Sequence, residues 1–323
     1  MKTMKLTHRG GSSSALCVAL AFVLLGAANC HAENAVAMAT DQKNYESPDA
    51  AFKALMEGLS LNSDEKILDV LGHQNKDLVV QSDKEDSTEV RNKILNAAKE
   101  HLKIITDGDK AVVYLGLQAW PYPIPIVKQG NAWTFDTAAG KEEILNRRIG
   151  RNELSAIRFV DAYGDAQRKY ASEDHTGDKV LKYAQKLIAS KEKRDGLYWP
   201  VDAKSTDESS PLAAMVDADE MAFLAGNGSD IPYNGYYFKV LTRQGANPAN
   251  GKYDYVINGN MIAGYAIVAW PADYGASGVM TLVMSHQGII QQKDLGAETA
   301  KVAAAMDEYN PDNTWGELKP EDK

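Results

Sequence analysis

The chain has 323 residues, of which 44% are hydrophobic and 24% charged, enough for one large domain or two ordinary ones around a real core. A formal charge of −9 argues against nucleic acid as a partner, because phosphate binding calls for a basic surplus. Two cysteines rule out a disulfide scaffold and any multi-cysteine metal cluster.

The first segment reads as an export signal. Lys2, Lys5 and Arg9 make a positive start, and no acidic residue precedes Glu33. An apolar run from Ala15 to Ala28 follows, too short for a membrane-spanning helix of roughly 20 residues but suited to a signal core of about 7–15. Small residues at Cys30 and Ala32 fit cleavage after Ala32, with residues 33–46 as a loose leader. Cys30 raises lipid attachment as the competing process, but Ala27 and Asn29 stand where a large aliphatic residue and a Gly or Ala are preferred. Cleavage leaves 32 basic against 44 acidic residues, −12, and removes both Cys17 and Cys30. The expected location is the periplasm, with no membrane span and no disulfide in the mature chain.

Residues 47–140 are expected to form an α+β domain. Ser47-Pro48-Asp49 is a helix start, with Phe52, Leu55, Met56 and Leu59 at helical spacing behind it. A second helix is predicted from Asp64 to the stop at Gly72, and a third over Glu89–His101. Ala111–Leu117 reads as a strand after the Asp107-Gly108-Asp109 turn, and Ala132–Asp136 as another. Between them, prolines at 121, 123 and 125 leave one side of Trp120–Val127 without donors, which predicts an edge strand. Helices followed by a curved antiparallel sheet resemble the cone-shaped folds related to nuclear transport factor 2.

Residues 141–318 are expected to hold one long helix and an antiparallel sheet. No proline interrupts 141–170, where Leu154, Ile157, Val160, Tyr163, Ala166 and Tyr170 mark a buried face. A shorter helix is predicted over Val180–Ala189, then a loop with an acidic centre at Lys204–Ser210. Turn signals such as Asn234-Gly235 and Asn258-Gly259 then separate strands at Tyr236–Leu241, Tyr253–Ile257, Tyr265–Trp270, Val279–Met284 and Ile289–Lys293. Glu298–Met306 reads as a closing helix.

Five segments carry a resemblance: Trp120-Pro-Tyr-Pro-Ile-Pro-Ile-Val-Lys128, Phe135-Asp-Thr-Ala-Ala-Gly-Lys-Glu-Glu143, Asn146-Arg-Arg-Ile-Gly-Arg-Asn-Glu153, Asp195-Gly-Leu-Tyr-Trp-Pro200 and Gly264–Thr281. In order, they resemble a bacterial family of exported proteins catalogued as domain of unknown function 2950. That resemblance implies no activity, cofactor or catalytic residue. Asn152-Glu-Leu-Ser-Ala-Ile157 with Ala166-Gln167 and Tyr170-Ala171 is similar to the globular part of type IV pilins and pseudopilins, so the second half is expected to be pilin-like. No apolar membrane helix adjoins it, a departure that speaks against polymerisation into a pilus.

Motifs for chemistry are sparse. The four histidines after residue 32, His73, His101, His175 and His286, show no metal-ligand spacing, and no cofactor or metal is expected. Ser190-Lys-Glu-Lys193 matches the short S-x-x-K pattern. Asp174, Thr176 and Asp178 have calcium-loop spacing, but Lys179 and Gln185 occupy places that need glycine and a carboxylate. The charged cluster of Glu142, Glu143, Arg147, Arg148, Arg151 and Glu153 reads either as ion pairs tying the helix to the preceding domain or as an anion site on Arg147, Arg148 and Arg151. Trp120, Tyr122, Tyr198 and Trp199 are either core or a recognition surface. The leading expectation is a non-catalytic envelope module that binds an envelope protein or polymer. The alternative is an envelope hydrolase using carboxylates among Asp195, Asp273 and Asp294 on an anionic polymer or peptide, which requires two of them in one cleft.

Overall fold

Ser47 opens the described fold as a helix cap: its hydroxyl accepts from the Ala50 N–H, Pro48 takes the first turn, and α1 runs Pro48–Ser60. The computed structural model describes residues 42–79, 84–199, 210–213 and 231–319. The expected signal peptide and the acidic stretch 204–209 lie outside them.

Ser63 caps α2 (Asp64–Leu71) in the same way, and Gly72 ends it at φ 90°, a conformation glycine adopts without strain. After α3 (Lys76–Val79), α4 spans Lys84–Glu100, starting five residues before the sequence-based boundary. These helices cover one face of an antiparallel sheet. Its strands are β1 (Leu102–Asp107), β2 (Lys110–Leu115), β3 (Trp120–Pro121), β4 (Ile126–Gln129) and β5 (Ala132–Phe135), in the order β1-β2-β4-β5, with β3 also on β2. Phe52, Leu55, Val113, Ile126 and Phe135 are among the buried residues of this first core, which is built from residues 51–135.

The proline segment is an edge only at its start, where β3 pairs with β2 alone. β4 lies between β2 and β5, pairing Ala111 with Ile126 on one side and Ile126 with Phe135 on the other. The Tyr122 N–H donates to the Val113 carbonyl, so the non-proline positions face β2. On the other side a proline still accepts: the Asp136 N–H donates to the Pro125 carbonyl. Missing donors thin that ladder without opening it.

Asp136 caps α5 (Thr137–Tyr170) by accepting from the Ala139 N–H, and Arg168 and Lys169 sit at its negative end. The long helix predicted over 141–170 is present and begins four residues earlier. From Ala156 onward α5 packs on a second antiparallel sheet of β6 (Tyr236–Leu241), β11 (Ala266–Pro271), β12 (Met280–Ser285), β13 (Ile290–Asp294) and β14 (Gly316–Glu317), ordered β14-β13-β12-β11-β6. Two small ribbons lie between β6 and β11 in the chain, β7 (Arg243–Gln244) with β8 (Tyr253–Asp254) and β9 (Val256–Ile257) with β10 (Asn260–Met261). Asn258 and Gly259 both take positive φ at the β9–β10 turn, as the Asn-Gly signal demands. A short helix, Thr299–Ala304, packs against β11. Helices and antiparallel sheets are thus segregated along the chain, an α+β protein.

Val180–Ala189 is not a helix. The side chain of Gln167, wholly buried on α5, donates to the Ala184 carbonyl at 2.8 Å and accepts from the Ala184 N–H at 2.8 Å. Tyr183 donates to the Met261 carbonyl, and the Ala189 N–H to that of Tyr198. Backbone groups a helix would satisfy internally are satisfied across the fold, so the segment stays extended.

Candidate functional site

Between the two cores, α5 is only partly covered. From Lys141 to Ser155 none of its residues is buried, a stretch of about 22 Å at 1.5 Å per residue. Gly140 packs against Ile124 of the first core: a Cβ there would stand 2.7 Å from the Ile124 Cγ1. Ala156 opens the buried face toward the second. Sixteen residues at about 100° each put those two faces about 160° apart around the helix. Among the described residues, hydrogen bonds tie this stretch to both sides at adjacent positions. Arg147 donates to the Pro121 carbonyl at 2.8 Å, and Arg148 Nε to the Ala276 carbonyl at 3.1 Å.

Arg147 is therefore a structural arginine. It also pairs with Glu143 at 2.7 Å, and its guanidinium lies 5.2 Å from the centre of the Trp120 ring. Asn152 donates to the Ser277 carbonyl, and the Glu153 carboxylate accepts from the N–H groups of Val279 (2.9 Å) and Met280 (3.1 Å). Two tight approaches fix that loop: a Cβ on Gly235 would meet Asn152 Nδ2 at 2.6 Å, and one on Gly278 would meet Tyr236 Cε2 at 2.6 Å. Most of the charged cluster thus bolts α5 to its neighbours.

Arg151 is different. It is exposed and forms no hydrogen bond or ion pair with a described residue. Arg158, which the sequence reading passed over, is exposed and unpaired in the same way, two turns further on. Arg147, Arg151, Leu154 and Arg158 step by four, three and four, a single stripe on the helix. That spacing was available in the sequence as a signal. Leu154 is 41% exposed between these last two arginines, and Trp120 closes the stripe at its amino-terminal end, 44% exposed. Beyond Arg158 the line turns acidic at Asp161 and Asp165, the latter paired with Arg168.

The four aromatic candidates do not form one surface. Tyr122 is buried edge-on against Phe52 and Phe135 in the first core, which drives its phenol pKa upward. Tyr198 and Trp199 are buried in the second. Only Trp120 faces solvent.

Asp195 stands apart from the other two candidate aspartates. Asp195 clasps its own loop, accepting from the Ser190 N–H (2.7 Å), the Ser190 hydroxyl (3.0 Å) and Lys186 (2.8 Å). Burial raises its pKa, but the hydrogen bond from Lys186 and those from Ser190 outweigh it and bring the carboxyl down to about 2. Such an acid is a poor proton acceptor, and the S-x-x-K serine is committed to this clasp. Gly196 next to it admits no side chain, since a Cβ would lie 2.5 Å from the Ala189 nitrogen. Asp294 accepts from the Tyr274 hydroxyl and the Gly296 N–H, and Asp273 sits in the 273–278 turn. That turn meets α5 near Asn152, whereas the Tyr170 hydroxyl donates to the Arg194 carbonyl beside Asp195. About 27 Å of helix separates the two places, at 1.5 Å per residue.

The calcium-like spacing is also spent locally: Asp174 accepts from the N–H groups of Thr176, Gly177 and Lys179, and Asp178 pairs with Lys182. No group of three or more metal-binding side chains occurs among the described residues. None of the described helices is long and apolar enough to cross a membrane.

Fold and site define an α+β protein with two cores on one helix. The chain belongs to the family described as Protein of unknown function (DUF2950), whose model matches residues 42–318. No curated protein and no solved structure matches it.

Proposed function

We propose that this is an exported cell-envelope protein that works by binding, and that the arginine stripe of α5 binds a partner bearing carboxylate or phosphate groups. The observation that carries the reading is a pair of arginines without a partner among the described residues, Arg151 and Arg158, about 10.5 Å apart on one helix face in a chain of net charge −9. Arginine forks recognise planar anions bidentately, and Leu154 and Trp120 add apolar contact beside them. Export rests on the sequence of residues 1–32 and periplasmic location on the expectation that the mature chain is released there. The likeness of the second half to pilin globular domains rests on the sequence around Asn152–Ile157, Ala166-Gln167 and Tyr170-Ala171 and adds no function.

The test uses fluorescent polyphosphate as an anionic probe, titrated with the purified protein at low and moderate salt. Arg151→Glu with Arg158→Glu should weaken binding by about tenfold or more, and salt should weaken it further. Absence of binding by the unaltered protein, or equal binding by the double variant, rejects the stripe. Export is read separately from the mass of the mature amino terminus, which should begin at Glu33. A diacylated Cys30 would replace release by anchoring.

A further inference from the structure

β1 leaves one side of the first sheet open. It pairs with β2 through six consecutive residue pairs, Leu102 with Leu115 through Asp107 with Lys110, without a bulge. No described strand lies on its other side. Natural sheets guard such edges with prolines, bulges, short strands or several charges. β1 has the ordinary strand length, no proline and a single lysine, and Leu102 and Ile105 on it are 45% and 44% exposed.

The hydrogen-bond parity of this edge is fixed. The Gly116 N–H donates to the His101 carbonyl, so residues 103, 105 and 107 turn their backbone groups toward β2. The Val113 carbonyl, opposite Ile104, is taken from the far side by the Tyr122 N–H, which agrees. Leu102, Ile104 and Thr106 therefore present outward N–H and C=O groups that no described residue takes up. Side chains follow the same alternation. Ile104 packs on the first core, so Lys103, Ile105 and Asp107 stand together on the face away from the helices. Neither Lys103 nor Asp107 forms an ion pair or hydrogen bond with a described residue, and Lys110 is the cation across from Asp107.

We propose that the occupant of this edge is a second copy of the chain, added antiparallel about a two-fold axis through Ile105. Outward groups on even-numbered residues allow only registers whose paired numbers share parity. With Ile105 on the axis, Lys103 stands opposite the second copy's Asp107 twice over, flanking a contact between the two Ile105 side chains. With Ile104 on the axis, Lys103 would face an isoleucine and Asp107 would face His101. Charge therefore favours the first of these two registers, and the isologous symmetry makes one strand complementary to itself. The two sheets become one, which removes the open edge of each.

Sedimentation equilibrium of the purified protein from micromolar to millimolar concentration tests this. A reversible dimer is expected. Lys103→Asp sets like charges opposite each other at two positions and should raise the dimer dissociation constant by about tenfold or more. The swap Lys103→Asp with Asp107→Lys should restore it to within about threefold, since each pair is re-formed with its signs exchanged. Thr106→Pro removes an outward donor and no bond to β2, so it should abolish the dimer while far-UV circular dichroism and the melting midpoint stay unchanged. If Lys103→Asp fails to fold, the swap and the proline variant decide the matter alone. A monomer at every concentration overturns the proposal. So does a dimer that Thr106→Pro leaves intact, or one that the swap fails to restore.

Discussion

Replacing Gln167 by leucine removes the two hydrogen bonds that hold Ala184 and keeps the bulk of the side chain. Both residues are buried, Gln167 at 0% and Ala184 at 2% exposure, so water cannot replace the lost partners. The Tyr163 hydroxyl, to which Gln167 also donates, keeps its bond to the Ala266 carbonyl. The variant thus orphans one buried N–H and one buried C=O, which cost about 1–3 kcal/mol each, or about 2–6 kcal/mol together. That is a large part of the ~5–15 kcal/mol by which folded proteins exceed their unfolded states. The melting midpoint should fall by roughly 3–10 °C for a chain of this size. Urea unfolding followed by tryptophan fluorescence reads the loss, because Trp199 and Trp270 belong to the same core. Hydrogen exchange at the Ala184 amide reads the cause and should quicken more than at β11. Gln167→Glu retains an acceptor for the Ala184 N–H but places a carboxylate against its carbonyl, and should fall at least as far. A loss under about 1 kcal/mol in the leucine variant, well below the cost of one orphaned group, would refute the clamp as the reason 180–189 is extended.

Four further outcomes are expected. Gly278→Ala should destabilise by about 1–3 kcal/mol in urea, because its Cβ must push aside the Tyr236 ring; an unchanged midpoint would count against the packing described. Asp195 has a folded pKa of about 2 against 3.8 unperturbed, so its stabilisation is complete above pH 3.8 and is lost as pH falls toward 2; Asp195→Asn should flatten stability across that window. Burial lowers the His286 imidazole from 6.5, so its contribution is intact above that pH and fades as pH falls below it, a decline that His286→Phe should remove from melts taken between pH 7 and about pH 5. Because both cysteines precede Ala32, melting of the mature protein should be indifferent to thiol reductant, and a shift would show that cleavage lies elsewhere.

Local signals were legible where the chain answers them locally. Ser47-Pro48 and Ser63 cap helices because the donors they satisfy lie three residues away. Asn258-Gly259 turns because its own backbone requires positive φ. The helix expected at 180–189 failed for the opposite reason. Its apolar spacing is real, but the deciding partner, Gln167, is 17 residues distant in sequence. The three prolines misled in a subtler way: they remove donors, whereas the Pro125 carbonyl keeps β4 paired on that side. At the candidate site, composition named arginines and aromatics but could not tell which were spent. Arg147 and Arg151 are four residues apart and look equivalent, yet only Arg147 reaches a carbonyl and a tryptophan ring. Burial likewise separates Trp120 from Tyr122.

The change of allegiance between Arg147 and Arg148 constrains how this protein can vary in length. A residue inserted at that junction advances everything beyond it by 1.5 Å and turns it by about 100°. One, two or five added residues would swing the second core well away from its present bearing on the first. Seven, being close to two full turns, would return it to within about 20° while lengthening the shaft by about 10 Å. Relatives should therefore differ here in steps of about seven residues or not at all, so that the spacing of Trp120 from the 273–278 turn behaves as a setting with discrete stops.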